Sequence, residues 1–379
     1  MRKRMRDFAL EVHFSRWEFA AKYNMAGSDA QSMTLRELLA LASAEDRTAF
    51  DALALGYTET FGAPTLRAEI ANTYETVRPE HVLCFAGAEE AIYVVMQVLL
   101  EAEDHAIVIT PNYQAAETIP LGICEVTGVP LEIDRGWDLD LDRLRQAVRP
   151  NTRLISINFP NNPTGRILPR AAFDAIVELC RRQDIWLFSD EVYRLIERDP
   201  SLRLPQAVDL YERAISLNVM SKAYGLAGLR IGWLACKDRE LLVRFERCKH
   251  YLSICNSAPS ELLARIALKA REPILARNRA IVSRNIAALS AFFGETSDLF
   301  DWKEPDGGCV GFIRYKGKDG VEAFTKRLVE EAGVLFLPAS LFRSELNEVP
   351  GDCLRVGFGR SHVPEGLAAL RTWMKQSSR

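Results

Sequence analysis

A lysine at position 222 follows the apolar run of residues 216–220 and precedes Ala223-Tyr224-Gly225-Leu226-Ala227-Gly228-Leu229-Arg230. An amine set after a strand and ahead of a glycine-rich turn is suited to holding an aldehyde cofactor as an imine. An imine forms only from the neutral amine, so such a lysine must be desolvated or placed near positive charge to lower its pKa. Arg230 offers that charge, and its planar fork matches phosphate oxygens. The same run would also suit an ordinary strand-end lysine beside a surface arginine, so the rest of the chain has to decide.

Three further segments offer groups complementary to a pyridoxal phosphate ring. In Ala86-Gly87-Ala88-Glu89-Glu90-Ala91 a strand turns through glycine into a helix, where free N–H groups and the helix dipole form a phosphate cup. A plain turn whose glutamates complement the dipole is the alternative. In Phe159-Pro160-Asn161-Asn162-Pro163-Thr164-Gly165 a rigid turn can aim the Asn162 amide, a donor, at a phenolate oxygen. Without a ligand it is a proline and glycine turn. In Ser189-Asp190-Glu191-Val192-Tyr193 a carboxylate ends an apolar strand, which is costly without a cationic partner. A pyridinium N–H would be such a partner, keeping the ring an electron sink, with Tyr193 in reach of the ring hydroxyl. A helix N-cap is the other use of an aspartate there.

The elements that must position these residues follow from pattern. Short apolar runs at 82–85, 106–110, 153–158, 185–189, 214–218 and 231–235 alternate with helical stretches such as 88–101, 169–182 and 205–213. This predicts an α/β fold with a mostly parallel sheet between helices, a three-layer αβα large domain. Ligands in such sheets sit outside the carboxyl ends of the strands, where the residues above fall. Residues 238–271 read as helical with a break near 257–259, and another helix covers 274–293. The remainder, with strands at 310–315 and 334–338 and helices at 321–332 and from 364, reads as a smaller α+β domain. The first 50 residues, including the short amphipathic stretch 35–42, are expected to pack with it. The large domain is taken as 53–273 and the small one as 1–52 with 274–379.

Composition bounds the function. The chain has 379 residues, 48% of them hydrophobic, enough for a large core and a smaller one. A net charge of −3 gives no general attraction to nucleic acid or to an anionic membrane, which favours a small-molecule partner. The eight cysteines stand singly without metal-ligand spacing, so no metal is expected and a reducing, cytoplasmic setting is. The basic start, Met1 to Arg6, leads into a mixed stretch rather than a signal peptide, and no later segment is apolar enough to span a bilayer.

Taken in order, Gly87-Ala88-Glu89, Asn162-Pro163-Thr164-Gly165, Asp190-x-x-Tyr193 and Ser221-Lys222 with Gly228-Leu229-Arg230-Ile231-Gly232-Trp233 resemble the class I/II aminotransferases of the aspartate aminotransferase fold. Gly56-Tyr57 to Gly62 with Leu66-Arg67, Pro111-Asn112-Tyr113, and Leu354-Arg355-Val356-Gly357-Phe358 extend the likeness over about residues 56–358. The resemblance implies pyridoxal 5'-phosphate, with Lys222 as Schiff-base lysine and proton carrier. It implies Asp190 on the ring nitrogen, Asn162 and Tyr193 on the ring hydroxyl oxygen, and Tyr113 on the ring face. The phosphate would be held by the turn at Gly87, the amides of Ala88 and Glu89, Ser221 and Arg230. Tyr57 would reach the phosphate of a partner subunit, making the active unit a homodimer. Arg355 would clamp the substrate carboxylate beside Asn162, with Gly27 on the substrate side. The family's usual serine three residues before the lysine is Val219 here, and Ala26-Gly27-Ser28-Asp29 lacks the proline of the corresponding substrate-closing segment. Ping-pong transamination between an amino acid and a 2-oxo acid is the leading expectation. A lyase or related specialised reaction is the second. A cofactor-sensing regulator is disfavoured, since the N-terminal region has no room for a DNA-binding module.

Overall fold

The computed structural model describes residues 5–377, so Met1 to Arg4 of the basic start lie outside the described residues. An eight-stranded sheet dominates, in the spatial order Val82–Phe85, Gly232–Cys236, Ala214–Val219, Trp186–Asp190, Thr152–Asn158, His105–Thr110, Glu125–Glu132 and Asp138–Leu139. The five strands from Ala214–Val219 to Glu125–Glu132 run parallel to one another. Gly232–Cys236 is antiparallel to both of its neighbours.

The alternation of side chains along a strand explains why helices cover both faces. In His105–Thr110, Ala106 and Val108 enter one core while Ile107 and Ile109 enter the other. Trp186 and Phe188 divide from Leu187 in the same way. A strand that is apolar on both faces must be sandwiched, which is why these runs read as continuous rather than alternating. One face packs on Ala88–Leu99, Arg239–Lys249 and Ala258–Lys269, and the other on Leu141–Ala147 and Arg170–Gln183.

Strands 82–85 and 310–315 stand as the pattern places them, and the other expected sheet strands shift by about a residue. The strand Glu125–Glu132 is absent from the sequence reading because Gly128 and Pro130 interrupt its pattern. Pro130 is tolerated because it pairs only with Thr110, while the short strand Asp138–Leu139 begins pairing at Leu131. The expected helix 205–213 contracts to Ala207–Leu210, because Tyr211 is already extended and its hydroxyl is tied to the carbonyls of Cys180 and Ile185. The expected strand 334–338 divides in two. Val334–Leu335 pairs in parallel with Tyr23–Asn24, and Leu337–Pro338 pairs with Cys353–Gly357 in a four-stranded antiparallel sheet that also holds Val310–Tyr315 and Phe300–Asp301.

The first 50 residues part company. Ala9–Trp17 packs against the turn Ala339–Phe342, as a segment belonging with the C-terminal part would. Leu35–Ala40, started by a Thr34/Glu37 capping box, and Ala44–Asp51 instead lie on Ala258–Lys269. The buried Asp46 carboxylate holds them there through Arg265 at 2.6 Å and Lys269 at 3.0 Å. Among the described residues no helix is long and apolar enough to cross a membrane, and no group of His, Cys, Asp and Glu side chains could hold a metal ion.

Candidate active site

A cavity of ≈ 530 Å³, within the range of small-molecule sites, opens at the carboxyl ends of the parallel strands. Of the residues singled out in the sequence, Gly27, Ala88, Glu89, Tyr113, Asn162, Asp190, Tyr193, Ser221, Lys222 and Arg230 line it. They come from separate elements that only the sheet brings together.

Asp190 ends its strand and turns its carboxyl into the cavity. One oxygen accepts the Val192 N–H at 3.2 Å, and burial pushes the carboxyl up to about 6, with that N–H and Lys222 pulling the other way. The local N–H bond of a capping aspartate is therefore present, yet the group remains short of positive charge. Lys222 follows Ala214–Val219 and donates from Nζ to Ser28 Oγ at 2.8 Å. Burial draws its pKa below the usual lysine range, opposed by Asp29 and assisted by Arg355. Tyr193 is 1% exposed and its hydroxyl, near Ser28, makes no hydrogen bond of good geometry, while its ring lies 5.8 Å from Lys222 Nζ. A buried unpaired phenol beside an undercharged carboxyl marks a place for a ligand with polar groups of its own.

The asparagine turn is braced from behind. Arg355 donates to Asn162 Oδ1 at 2.9 Å and to the Ala26 carbonyl at 2.8 Å, and the Asn162 N–H is accepted by Asn158 Oδ1 at 2.8 Å. With its oxygen engaged, Asn162 has its NH₂ donors left for the cavity. Arg355 itself is fully buried and stands behind Asn162 without lining the cavity.

At the other end, Gly87 caps the helix Ala88–Leu99 with φ +100°, and a Cβ there would stand 2.5 Å from Arg230 Nη2. Only glycine admits both the left-handed backbone and the guanidinium. Arg230 and the first N–H groups of a helix then face one point, an arrangement suited to phosphate. Val219, the position where a serine was expected from the resemblance, lines this wall without adding a hydroxyl. Undercharged carboxyl, unpaired phenol, free amide donors and phosphate cradle together fit the pyridine nitrogen, ring oxygen and phosphate of pyridoxal phosphate. Tyr57 does not line the cavity and is 93% exposed.

Ser28 and Asp29 belong to the segment 26–29 already matched to a substrate-closing one, whereas the rest of the wall went unread in the sequence. Glu11, Phe14 and Glu18 project from Ala9–Trp17 and the residue after it at i, i+3 and i+7, one helical face, and Ser28, Asp29 and Arg360 complete the wall. Arg360 pairs with Asp29 at 2.9 Å and Glu18 at 3.8 Å. The i, i+3, i+7 spacing was visible, but nothing local told which face would meet the cavity.

Residues 24–368 match the model of the family described as aminotransferase class I and II. The chain belongs to this family. Capreomycidine synthase of Streptomyces vinaceus is 28% identical over 361 residues, covering 93% of this chain and 90% of that protein. Arginine–pyruvate transaminase of Pseudomonas aeruginosa is 30% identical over 312 residues, covering 78% of each. Among solved structures, a pyridoxal-phosphate-dependent aminotransferase from Streptococcus suis superposes with a TM-score of 0.91 at 31% identity, covering 99% of both chains. The aminotransferase is thus a pyridoxal-phosphate-dependent enzyme with the aspartate aminotransferase fold, a mixed α/β architecture around a mostly parallel sheet.

Proposed function

We propose that this aminotransferase moves an amino group from an amino acid to a 2-oxo acid in two ping-pong half-reactions, with Lys222 as the cofactor-bearing amine and proton carrier. The observation that carries the reading is the convergence of Lys222, Asp190 and the unpartnered Tyr193 hydroxyl on one cavity. Bound pyridoxal phosphate supplies an electron sink that makes the substrate α-carbon acidic. Lys222, desolvated and held by Ser28, is the base that takes that proton and returns it. Asp190 keeps a proton on the ring nitrogen, which in turn gives its buried carboxylate a cationic partner. Asn162 and Tyr193 would donate to the ring oxygen, and Tyr113 would cover the ring face. Arg230, Ser221 and the amides of Ala88 and Glu89 hold the phosphate in the turn at Gly87. Arg355 fixes the orientation of Asn162 and, from behind it, is read as the group that would reach the substrate carboxylate on the side of Gly27 with the Nε that has no partner.

The exposed Tyr57 fits contact with a partner subunit, so the working unit is read as a homodimer, tested by sedimentation. Residues 53–273, with the helices of 35–51 lying on them, are read as the cofactor-binding unit and 1–34 with 274–379 as the smaller unit closing over it. Eight free cysteines suit a reducing cytoplasm. A second reading, a lyase or other specialised reaction, is favoured by the likeness to a relative named as a synthase. The acceptor test separates the two: transamination needs a 2-oxo acid for repeated turnover, and sustained product formation without one overturns it.

A further inference from the structure

Tyr113 offers its single hydroxyl proton to two carboxyls. Its Oη lies 3.2 Å from Glu11 Oε1, and Glu89 approaches the same hydroxyl. One phenol can donate to only one of them. Among the described residues neither Glu11 nor Glu89 forms an ion pair, and Glu89 Oε2 is buried with no partner. Burial pushes Glu89 up to about 7, and the neighbouring Glu11 and Asp190 push the same way. Glu18 is raised as well, burial first, although Arg360 relieves it in part.

The nearby cations are committed elsewhere. Arg360 is occupied by Asp29 and Glu18. On the reading given above, on which this inference rests, Lys222 and Arg230 serve the cofactor and Arg355 the substrate carboxylate. Glu11 and Glu89 therefore face the cavity without a protein cation, and ionising both leaves a surplus of negative charge that a bound cation would offset. A neutral or acidic side chain would leave that surplus in place, and an acidic one would add to it.

We propose that Glu11 and Glu89, bridged by Tyr113, form the side-chain subsite of the amino donor and select an α-amino acid carrying a guanidinium. A guanidinium has five N–H donors in a fixed fork, so it can satisfy two carboxylates at once where an ammonium satisfies them less completely. Phe8 and Phe14 on the same wall cover the apolar stem of such a side chain.

The test uses the intact holoenzyme and compares L-arginine with L-citrulline, its neutral isostere, both by equilibrium binding calorimetry and by change of the bound cofactor's absorption. L-arginine is expected to bind about 10- to 100-fold more tightly than L-citrulline, the difference of a charge-assisted pair. Glu11→Gln and, separately, Glu89→Gln should shrink that ratio by raising the dissociation constant for L-arginine far more than that for L-citrulline. Equal binding of the two amino acids, binding of neither, or an unchanged ratio in both variants overturns the proposal. Selective L-arginine binding without any cofactor absorption change supports the subsite and overturns the transamination reading instead, so the two failures are distinct.

Discussion

The two walls of the cavity are built differently. Asn162, Asp190, Ser221 and Lys222 stand at or just after the ends of adjacent parallel strands, so their spacing is set by the ladder of the eight-stranded sheet. Glu11, Glu18, Asp29 and Arg360 stand on or just after a helix of nine residues and on loops, the last three joined to one another through side-chain pairs. Reaction groups need near-fixed geometry, which a rigid sheet gives. Groups that choose among substrates can sit on elements whose sequence varies without disturbing the strands. The lesson is that changes to the strand-end wall should act on turnover, and changes to the helical wall on substrate binding.

Lys222→Ala is the strongest way to break that division. On the proposed reading it removes base and cofactor anchor together, and about a 10⁴-fold loss of turnover is expected, with the absorption of the bound cofactor shifted. Turnover at the wild-type rate would sink the assignment. On the opposite wall, Arg360→Gln frees Asp29 and Glu18 of their cation, and steady-state kinetics should show a KM change of no more than about tenfold. A loss of turnover comparable to that of Lys222→Ala would erase the distinction between the walls.

The smallest effect lies behind the strand-end wall. Glu191 accepts from the Ala207 N–H and the Ser216 hydroxyl, both at 2.8 Å, and burial pushes it up to about 7. Folding therefore takes up a proton between the ordinary carboxyl range and about pH 7, so this group's contribution to stability is present in acid and lost as pH rises through that window. Glu191→Gln should flatten the fall in Tm between about pH 5 and 8, with turnover little changed. An unchanged slope in thermal melts would show that Glu191 does not titrate there.

Legibility followed the same division. Strands such as 82–85 and 310–315 were readable because they are short, apolar and bounded by turn residues. Residues at their carboxyl ends could be grouped because parallel strands gather their ends on one side. Glu125–Glu132 was not readable, since its proline and glycine are acceptable only given the pairing beside them. The role of Ala9–Trp17 escaped for another reason: charged and apolar residues alternate along it, and the hydrogen bond that the exposed Glu11 accepts from Tyr113 joins residues 102 positions apart.

By itself the sequence determined the family, the cofactor and the residues of the strand-end wall. Those properties are carried by local runs, and a lysine, an aspartate and a glycine each declare their chemistry next to the strand or turn that holds them. Tertiary structure alone decided that Arg355 braces Asn162 from behind, that Arg360 stands in the cavity, and that two carboxyls compete for one phenol. The reason is physical: whether a charge is compensated depends on which distant groups folding brings within a few ångströms, and no local pattern encodes that sum.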